Sequence, residues 1–368
     1  MPAPLVAARN LGSKVARRVA AVPARVVRVS RRLGRAREGM ARVLDEHRIE
    51  REIAAVASGR GPIVVGPWLA EVGFEVLYWI PFLRWFAERY QIDPARMTAV
   101  SRGGVADWYA DVAGGYVEIL DHLSPEVFAA RNARRQESDE AGGQKQHAPG
   151  ALDRELLSLA RETLGASDAR VCHPSLMFRL FRQFWLGNRG LGLPLAHTRF
   201  ASPAPGDGDL PPLPERFAAV KLYTGRALPD TPEWRGVLAS LVARVAERMP
   251  VVLLDTGLAL DEHEDYQFER PNVISLRGHL PPARNLGLQT RIIARASLFV
   301  GTCGSLAWLA PMLGVDTVAV YGDDRFLASH LHFAGHAFDA MGAASFEPLD
   351  LRAVTALDLF ATAGDVRS

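Results

Sequence analysis

From residue 61 onward the chain alternates short β-branched runs with longer amphipathic stretches, and this alternation leaves few folds open. IVVG (63–66), MTAVS (97–101), YVEIL (116–120) and ARVC (169–172) read as strands. Helical periodicity covers 74–90, 124–136, 151–164 and 175–187. ASPAPGDGDLPPLPE (201–215) holds five prolines and three acids, so it reads as a linker. Strands resume at FAAVKLY (217–223), PVVLLD (250–255), NVISL (272–276), LFVG (298–301) and TVAVY (317–321). Helices are expected over 232–248, 285–296 and 305–313, with a last one over 350–361. Strand runs that are apolar on both faces indicate parallel sheets covered by helices. The expected class is therefore α/β, with two Rossmann-like domains whose parallel sheets face a cleft. The implied boundaries are a basic arm (1–58), a first domain (59–200), the linker (201–215), a second domain (216–348) and a C-terminal helix and tail (349–368). No internal repeat recurs at a solenoid period.

Charge is unevenly spread. Of 43 Lys/Arg and 41 Asp/Glu in the chain, residues 1–51 hold thirteen basic and four acidic ones. The first ten basic residues, Arg9 to Arg37, come before any acid. The arm admits several readings: a solvated, partly helical extension, a transit-like segment, or adhesion to an anionic membrane surface through residues 1–50. It lacks aromatics to stack on bases, and the acidic body has no nucleic-acid footprint, so no nucleic-acid partner is expected. The longest uncharged run, Leu298–Val315, is broken by Gly301, Gly304, Pro311 and Gly314, so it reads as strand, turn and helix rather than a membrane span. Two cysteines, Cys172 and Cys303, point to a reducing compartment. The expected setting is cytoplasmic, peripheral at the inner membrane if the arm adheres there.

LFVGTCGSLAWLAPMLGV (298–315) is the strongest local signal. Thr302, Cys303, Gly304 and Ser305 fall between a buried strand and a helix, where backbone N–H groups favour an anion. Gly301 and Gly304 let the backbone approach a ligand. The structural alternative is an ordinary turn with Ser305 as N-cap. In VKLYTGRALPDTPEW (220–234), Lys221, Tyr223 and Arg226 emerge from a strand end, either as a diphosphate clamp or as a surface turn. Arg277 in SLRGHL occupies a third strand end. Asp261, Glu262, His263, Glu264 and Asp265 lack a metal-ligand register and read as solvated loop charge. In GPWLAEVGFEVLYWIPFL (66–83), Glu71 and Glu75 interrupt an apolar segment. Partial desolvation there would raise a carboxyl toward general-base duty, whereas helix-start capping is the structural alternative for both.

The order of strand, acidic loop and helix, followed by the GTCGSLAWLAPMLGV turn, resembles bacterial GT-B glycosyltransferases, and within them heptosyltransferase-like enzymes of surface-polysaccharide assembly. The resemblance implies that 59–200 binds the acceptor and 216–348 the nucleotide-sugar donor. It places the donor diphosphate on Gly301, Thr302, Gly304 and Ser305 with Lys221, and makes Glu71 the base. Tyr223, Arg226, Arg277 and Cys303 complete the candidate donor site, and Glu75 is the second catalytic candidate. Transfer without a bound metal or other cofactor is implied, onto a glycan or lipid-linked acceptor. Family members commonly carry Asp near Thr302 and a His a few residues on, where this chain has Leu306, Ala307 and Trp308, so a heptose donor is not implied.

Three other functions share parts of this pattern. Cys303 on its strand-to-helix turn partly mimics a nucleophile elbow, with Asp323, Asp324, His330, His332 and His336 downstream, and a helix start would lower its pKa. A nucleotide-sugar epimerase uses the same two-domain fold. A non-catalytic binding module would show nucleotide affinity without turnover.

Overall fold

A computed structural model describes residues 37, 39–138, 145–258, 260, 263–325 and 327–356. The basic run before Arg37, residues 139–144 of the polar stretch RRQESDEAGGQKQHAPG (134–150), Asp261, Glu262 and the end of the expected last helix lie outside the described residues; that stretch reads as an exposed loop, but its first five residues are helical. The chain divides into two compact units, Met1–Ile53 and Ala54–Ser368. In the first, residues 39–53 are helical. No helix among the described residues is long and apolar enough to cross a membrane.

The second unit contains two parallel sheets. One joins β1 (Ile63–Val65), β2 (Met97–Ser101), β3 (Gly115–Glu118) and β4 (Arg170–Cys172) in the order β3-β2-β1-β4. Val64 lies between Thr98 and Val171 in register, and Ile63, Val64 and Val65 are wholly buried. Burial on both faces is what turns IVV into a central strand. The other sheet joins β5 (Ala218–Lys221), β6 (Val251–Leu253), β7 (Val273–Ser275), β8 (Leu298–Thr302), β9 (Thr317–Tyr321) and β10 (Phe346–Asp350). Its order is β10-β9-β8-β5-β6-β7, so β5 and β8 are central. Every pairing within the two sheets is parallel, so in each sheet the loops that follow the strands share one edge.

Helices α1 (Ile80–Tyr90), α2 (Pro125–Ser138), α3 (Ala151–Thr163) and α4 (Ser175–Trp185) belong to the first half, and a short α5 (Gly192–Ala196) follows them. The second half adds α6 (Pro232–Ala246), α7 (Asn285–Ala294), α8 (Leu306–Met312), α9 (Ala328–Met341) and α10 (Leu351–Ala356). Several sequence expectations need correction. YVEIL stops being a strand at Glu118, because Ile119–Asp121 turn into a single 3-10 turn whose Leu120 N–H is taken by the Glu118 carboxylate. The helix expected from Phe74 begins instead as a turn, Val72–Phe74, and a π-helical segment, Glu75–Trp79, that is buried throughout. Helix α9 and strand β10 were not anticipated. β10 reads FEPLD, a partly exposed strand bonded on one side only, so it has neither the apolar run nor the alternation of an inner strand.

Candidate functional site

Loops from several strand ends surround one cavity of about 800 Å³. The turn after β1 contributes Glu71, Gly73 and Phe74, the turn after β5 contributes Tyr223 and Arg226, and the turn after β8 runs from Thr302 to Ser305 along its wall. Ligands of parallel α/β sheets bind beyond the carboxyl ends of the strands, and this volume suits a small molecule. A smaller cavity of about 100 Å³ shares Glu71, Gly73, Tyr223 and Ser305, and adds Arg102 and Lys221.

The 302–305 turn is built for backbone exposure. Thr302 Oγ1 accepts the Tyr223 N–H and donates to the Tyr223 carbonyl, both at 2.9 Å, which fixes the turn to the end of β5. The Cys303 N–H donates to Val320 O at 2.8 Å and the Ala307 N–H to Gly304 O at 2.9 Å. Among the described residues, the N–H groups of Gly304 and Ser305 between them have no backbone acceptor. Both residues have positive φ, 123° and 44°. Two successive N–H groups without a backbone acceptor can both donate to an anion. Ser305 precedes α8 as expected of an N-cap, but its side chain makes no capping hydrogen bond.

Glu71 faces this turn. It precedes the Val72–Phe74 turn in an extended conformation, and its side chain makes no capping hydrogen bond. A Cβ on Gly73 would lie 2.7 Å from the Ser305 nitrogen and 3.0 Å from Trp308 Cδ1. The absence of that carbon is what lets the Glu71 turn rest against the 302–305 turn. Arg102, buried at the end of β2, holds the same loop from behind. Its guanidinium donates to Trp68 O at 3.1 Å and Ala70 O at 2.9 Å. Nothing in SRGG (101–104) announces that role, because the partners are backbone carbonyls more than thirty residues away.

Glu75 is placed differently. It is fully buried and lines neither cavity. Ser101 Oγ and Tyr109 Oη both donate to its Oε1 at 2.5 Å. Burial pushes its carboxyl up to about 7, against the opposing pull of Arg102 and these two hydroxyls. Burial thus raises this carboxyl inside the protein, away from both cavities.

The donor candidates divide in the same way. Arg226, Tyr223, Thr302, Cys303, Gly304 and Ser305 line the large cavity. Lys221 lines only the smaller one, where its ammonium donates to Leu254 O at 2.9 Å and pairs with Asp265 at 2.7 Å. Gly301 lies within β8 opposite Lys221 and lines neither; a Cβ there would meet the Phe299 ring at 2.6 Å. Arg277 also lines neither and pairs with the buried Asp255 at 3.3 Å. Cys303 departs from the nucleophile expectation. Its thiol is buried, and burial pushes it up to about 12, opposite to the lowered value an activated thiol needs.

Two further groups stand on the cavity wall, Lys145, which carried no sequence signal, and His330, which the sequence offered only as a partner of Cys303. Lys145, from the polar loop, places its ammonium 4.4 Å from the Trp185 ring centroid and 5.2 Å from that of Phe74. His330, on α9, takes a 2.7 Å hydrogen bond at Nδ1 with the Tyr78 hydroxyl.

No known family model and no curated protein matches the chain. Among solved structures it is similar to the iron-containing dodecameric glycosyltransferase TibC of enterotoxigenic E. coli H10407, at 12% identity over 71% of this chain and 58% of that one, with a TM-score of 0.38. A family 9 glycosyl transferase of Veillonella parvula DSM 2008 shows 14% identity over 84% and 92% of the two chains, with a TM-score of 0.41. E. coli ADP-heptose lps heptosyltransferase II shows 12% identity over 71% and 85%, with a TM-score of 0.33. The chain thus spans 58% of the length of TibC. These structural neighbours are glycosyltransferases, at identities and scores so low that the chemistry of this chain rests on its own residues.

Proposed function

We propose that the protein is a glycosyltransferase of GT-B type that moves a sugar from a nucleotide-sugar to a glycan or lipid-linked acceptor in cell-surface polysaccharide assembly. One observation carries this reading: Glu71 and the unclaimed N–H groups of Gly304 and Ser305 line the same cavity, in turns that touch through Gly73. A transfer needs a carboxylate to take the acceptor hydroxyl's proton and positive potential where the diphosphate departs. Glu71 answers the first need. The 304–305 N–H pair with Arg226 answers the second. Glu75, Lys221 and Arg277 are then structural partners of the site rather than ligands. The basic segment 1–50 serves in this reading to hold the catalytic body on an anionic membrane surface, where a lipid-linked acceptor would lie.

The test is a thermal-shift panel of UDP, GDP, ADP and dTDP on the full chain. Ligand at about 100 times its Kd stabilises a fold by ~2.7 kcal/mol, which a melting curve resolves. A shift with one diphosphate, weakened by Arg226→Glu, supports the reading. No shift with any of the four overturns it.

A further inference from the structure

We propose that Lys145 is an anion-binding residue of the large cavity, sharing the bound diphosphate with Arg226 and carried into place by its neighbour Gln146. The inference rests on the nucleotide-diphosphate reading above and adds to it a ligand contact from the first half of the chain.

Lys145 sits in a polar run, but its neighbour is anchored. Gln146 is buried, and its side-chain amide bonds in three directions. Its Oε1 accepts the Leu69 N–H at 2.9 Å, and its Nε2 donates to Pro67 O and to Asp153 Oδ1, both at 2.8 Å. Asp153 is itself buried and further accepts from the Gly150 N–H at 2.9 Å and His173 Nε2 at 2.8 Å. Residue 146 is thereby tied to the loop that ends in Glu71, and a residue beside such an anchor has little freedom to leave.

The ammonium of Lys145 is turned inward onto aromatic rings, where a surface lysine would extend into water. Trp185 and Phe74 both present their rings to it, and all three residues line the cavity. Its electrostatic neighbours are Glu71, which favours its charge, and Arg226, which opposes it. Burial acts in the same direction as Arg226, and together they hold its pKa below the ordinary lysine value. Among the described residues that line the cavity, Lys145, Arg226 and Arg325 face the carboxylates of Glu71 and Asp323, and Asp323 is paired with Arg325, which leaves positive potential near Lys145 and Arg226. An anion carrying two phosphates fills such a place and relieves the repulsion between them.

The experiment compares affinities of the full chain for the four nucleoside diphosphates and for the matching uncharged nucleosides. For the diphosphate that binds, Lys145→Met should weaken affinity at least ~10-fold, as loss of one charge-assisted contact does, while nucleoside affinity stays within about two-fold. Lys145→Arg should restore most of the loss. Gln146→Leu should weaken diphosphate binding in the same direction, because it keeps the charge but loses the anchor. Lys145→Met with unchanged diphosphate affinity overturns the inference and leaves the proposed function standing. Equal losses for diphosphate and nucleoside also overturn it, since they would report a structural role. Absence of diphosphate binding in the unmodified chain overturns both.

Discussion

The Tyr78 hydroxyl and Nδ1 of His330 lie 2.7 Å apart, joining the buried π-helical segment of the first half to α9 of the second. Burial pushes the tyrosine hydroxyl up, so it keeps its proton and acts as the donor. Burial, helped by the nearby Lys145 charge, pushes His330 down to about 3. The imidazole is therefore neutral near pH 7, accepts from Tyr78 at Nδ1 and carries its own proton on Nε2. Tyr78 also stacks on Phe333 one helical turn away, with ring centroids 4.5 Å apart and planes 4° from parallel.

This arrangement sets a pH dependence of stability. Between the ordinary value of 6.5 and the folded value of about 3, the unfolded chain binds a proton at residue 330 that the folded chain refuses. Stability contributed by the neutral ring is thus complete above pH 6.5 and falls as pH drops toward 3. The slope from this one group approaches ~1.4 kcal/mol per pH unit at most. Chemical denaturation of the wild type and His330→Gln between pH 4 and 7 should show a shallower acid slope in the variant. Parallel slopes would refute the assignment.

Glu75 works with the opposite sign. Its folded pKa of about 7 lies above the ordinary 4.5, so the folded chain holds a proton that the unfolded one has released. Stability from this group is full below pH 4.5 and declines as pH rises toward 7. Oε2 has no hydrogen-bond partner among the described residues, which suits an uncharged carboxyl. Glu75→Gln keeps an oxygen for Ser101 and Tyr109 and removes the titration. Its melting temperature relative to wild type should therefore rise from pH 5 to about pH 7 and level off above it. A difference that stays flat with pH would contradict this account.

The two parallel sheets were legible because buried strands such as IVV and LFVGT stand out as apolar runs. β10 was not, since an edge strand holding Pro348, Glu347 and Asp350 looks like a loop. Helix α9 was hidden by the three histidines and Gly335 in its sequence, which drew attention as chemistry rather than as helix. In the site, sequence shows which residues carry charge but not what already neutralises them. Lys221 and Arg277 read as ligands from their charge and strand-end position, and the structure adds Asp265 and Asp255 beside them. The converse holds for Lys145 and Arg102, whose places depend on Gln146, Trp68 and Ala70, contacts that no spacing reveals.

Gly73 is a position where a single methyl group should separate the two turns. The atoms it would meet include the backbone nitrogen of Ser305, which cannot swing aside as a flexible side chain could. Gly73→Ala should lower stability by ~1–3 kcal/mol through overpacking and reduce nucleotide-diphosphate affinity at the same time. Gly236→Ala, at an exposed position of α6 where a Cβ meets nothing within 4 Å, is the matched control and should be neutral or slightly stabilising. Equal behaviour of the two variants would show that the turns do not depend on this contact.

Glu71 carries the sharpest catalytic expectation. It lines both cavities, stands beside the 304–305 donors and lies in electrostatic reach of the Lys145 ammonium. Glu71→Gln preserves shape and hydrogen-bonding capacity but cannot accept the acceptor's proton. Its diphosphate affinity should stay within a few-fold of wild type, while kcat for sugar transfer falls by ~10²–10⁴-fold. Glu75→Gln, which alters a buried carboxyl away from the cavity, should keep kcat within about ten-fold, with its effect confined to stability. Steady-state kinetics on the donor and acceptor pair identified by nucleotide screening would separate the two. A Glu71→Gln enzyme that turns over normally would remove Glu71 as the base, and a Glu75→Gln enzyme that loses turnover without losing its fold would move that role to the buried site.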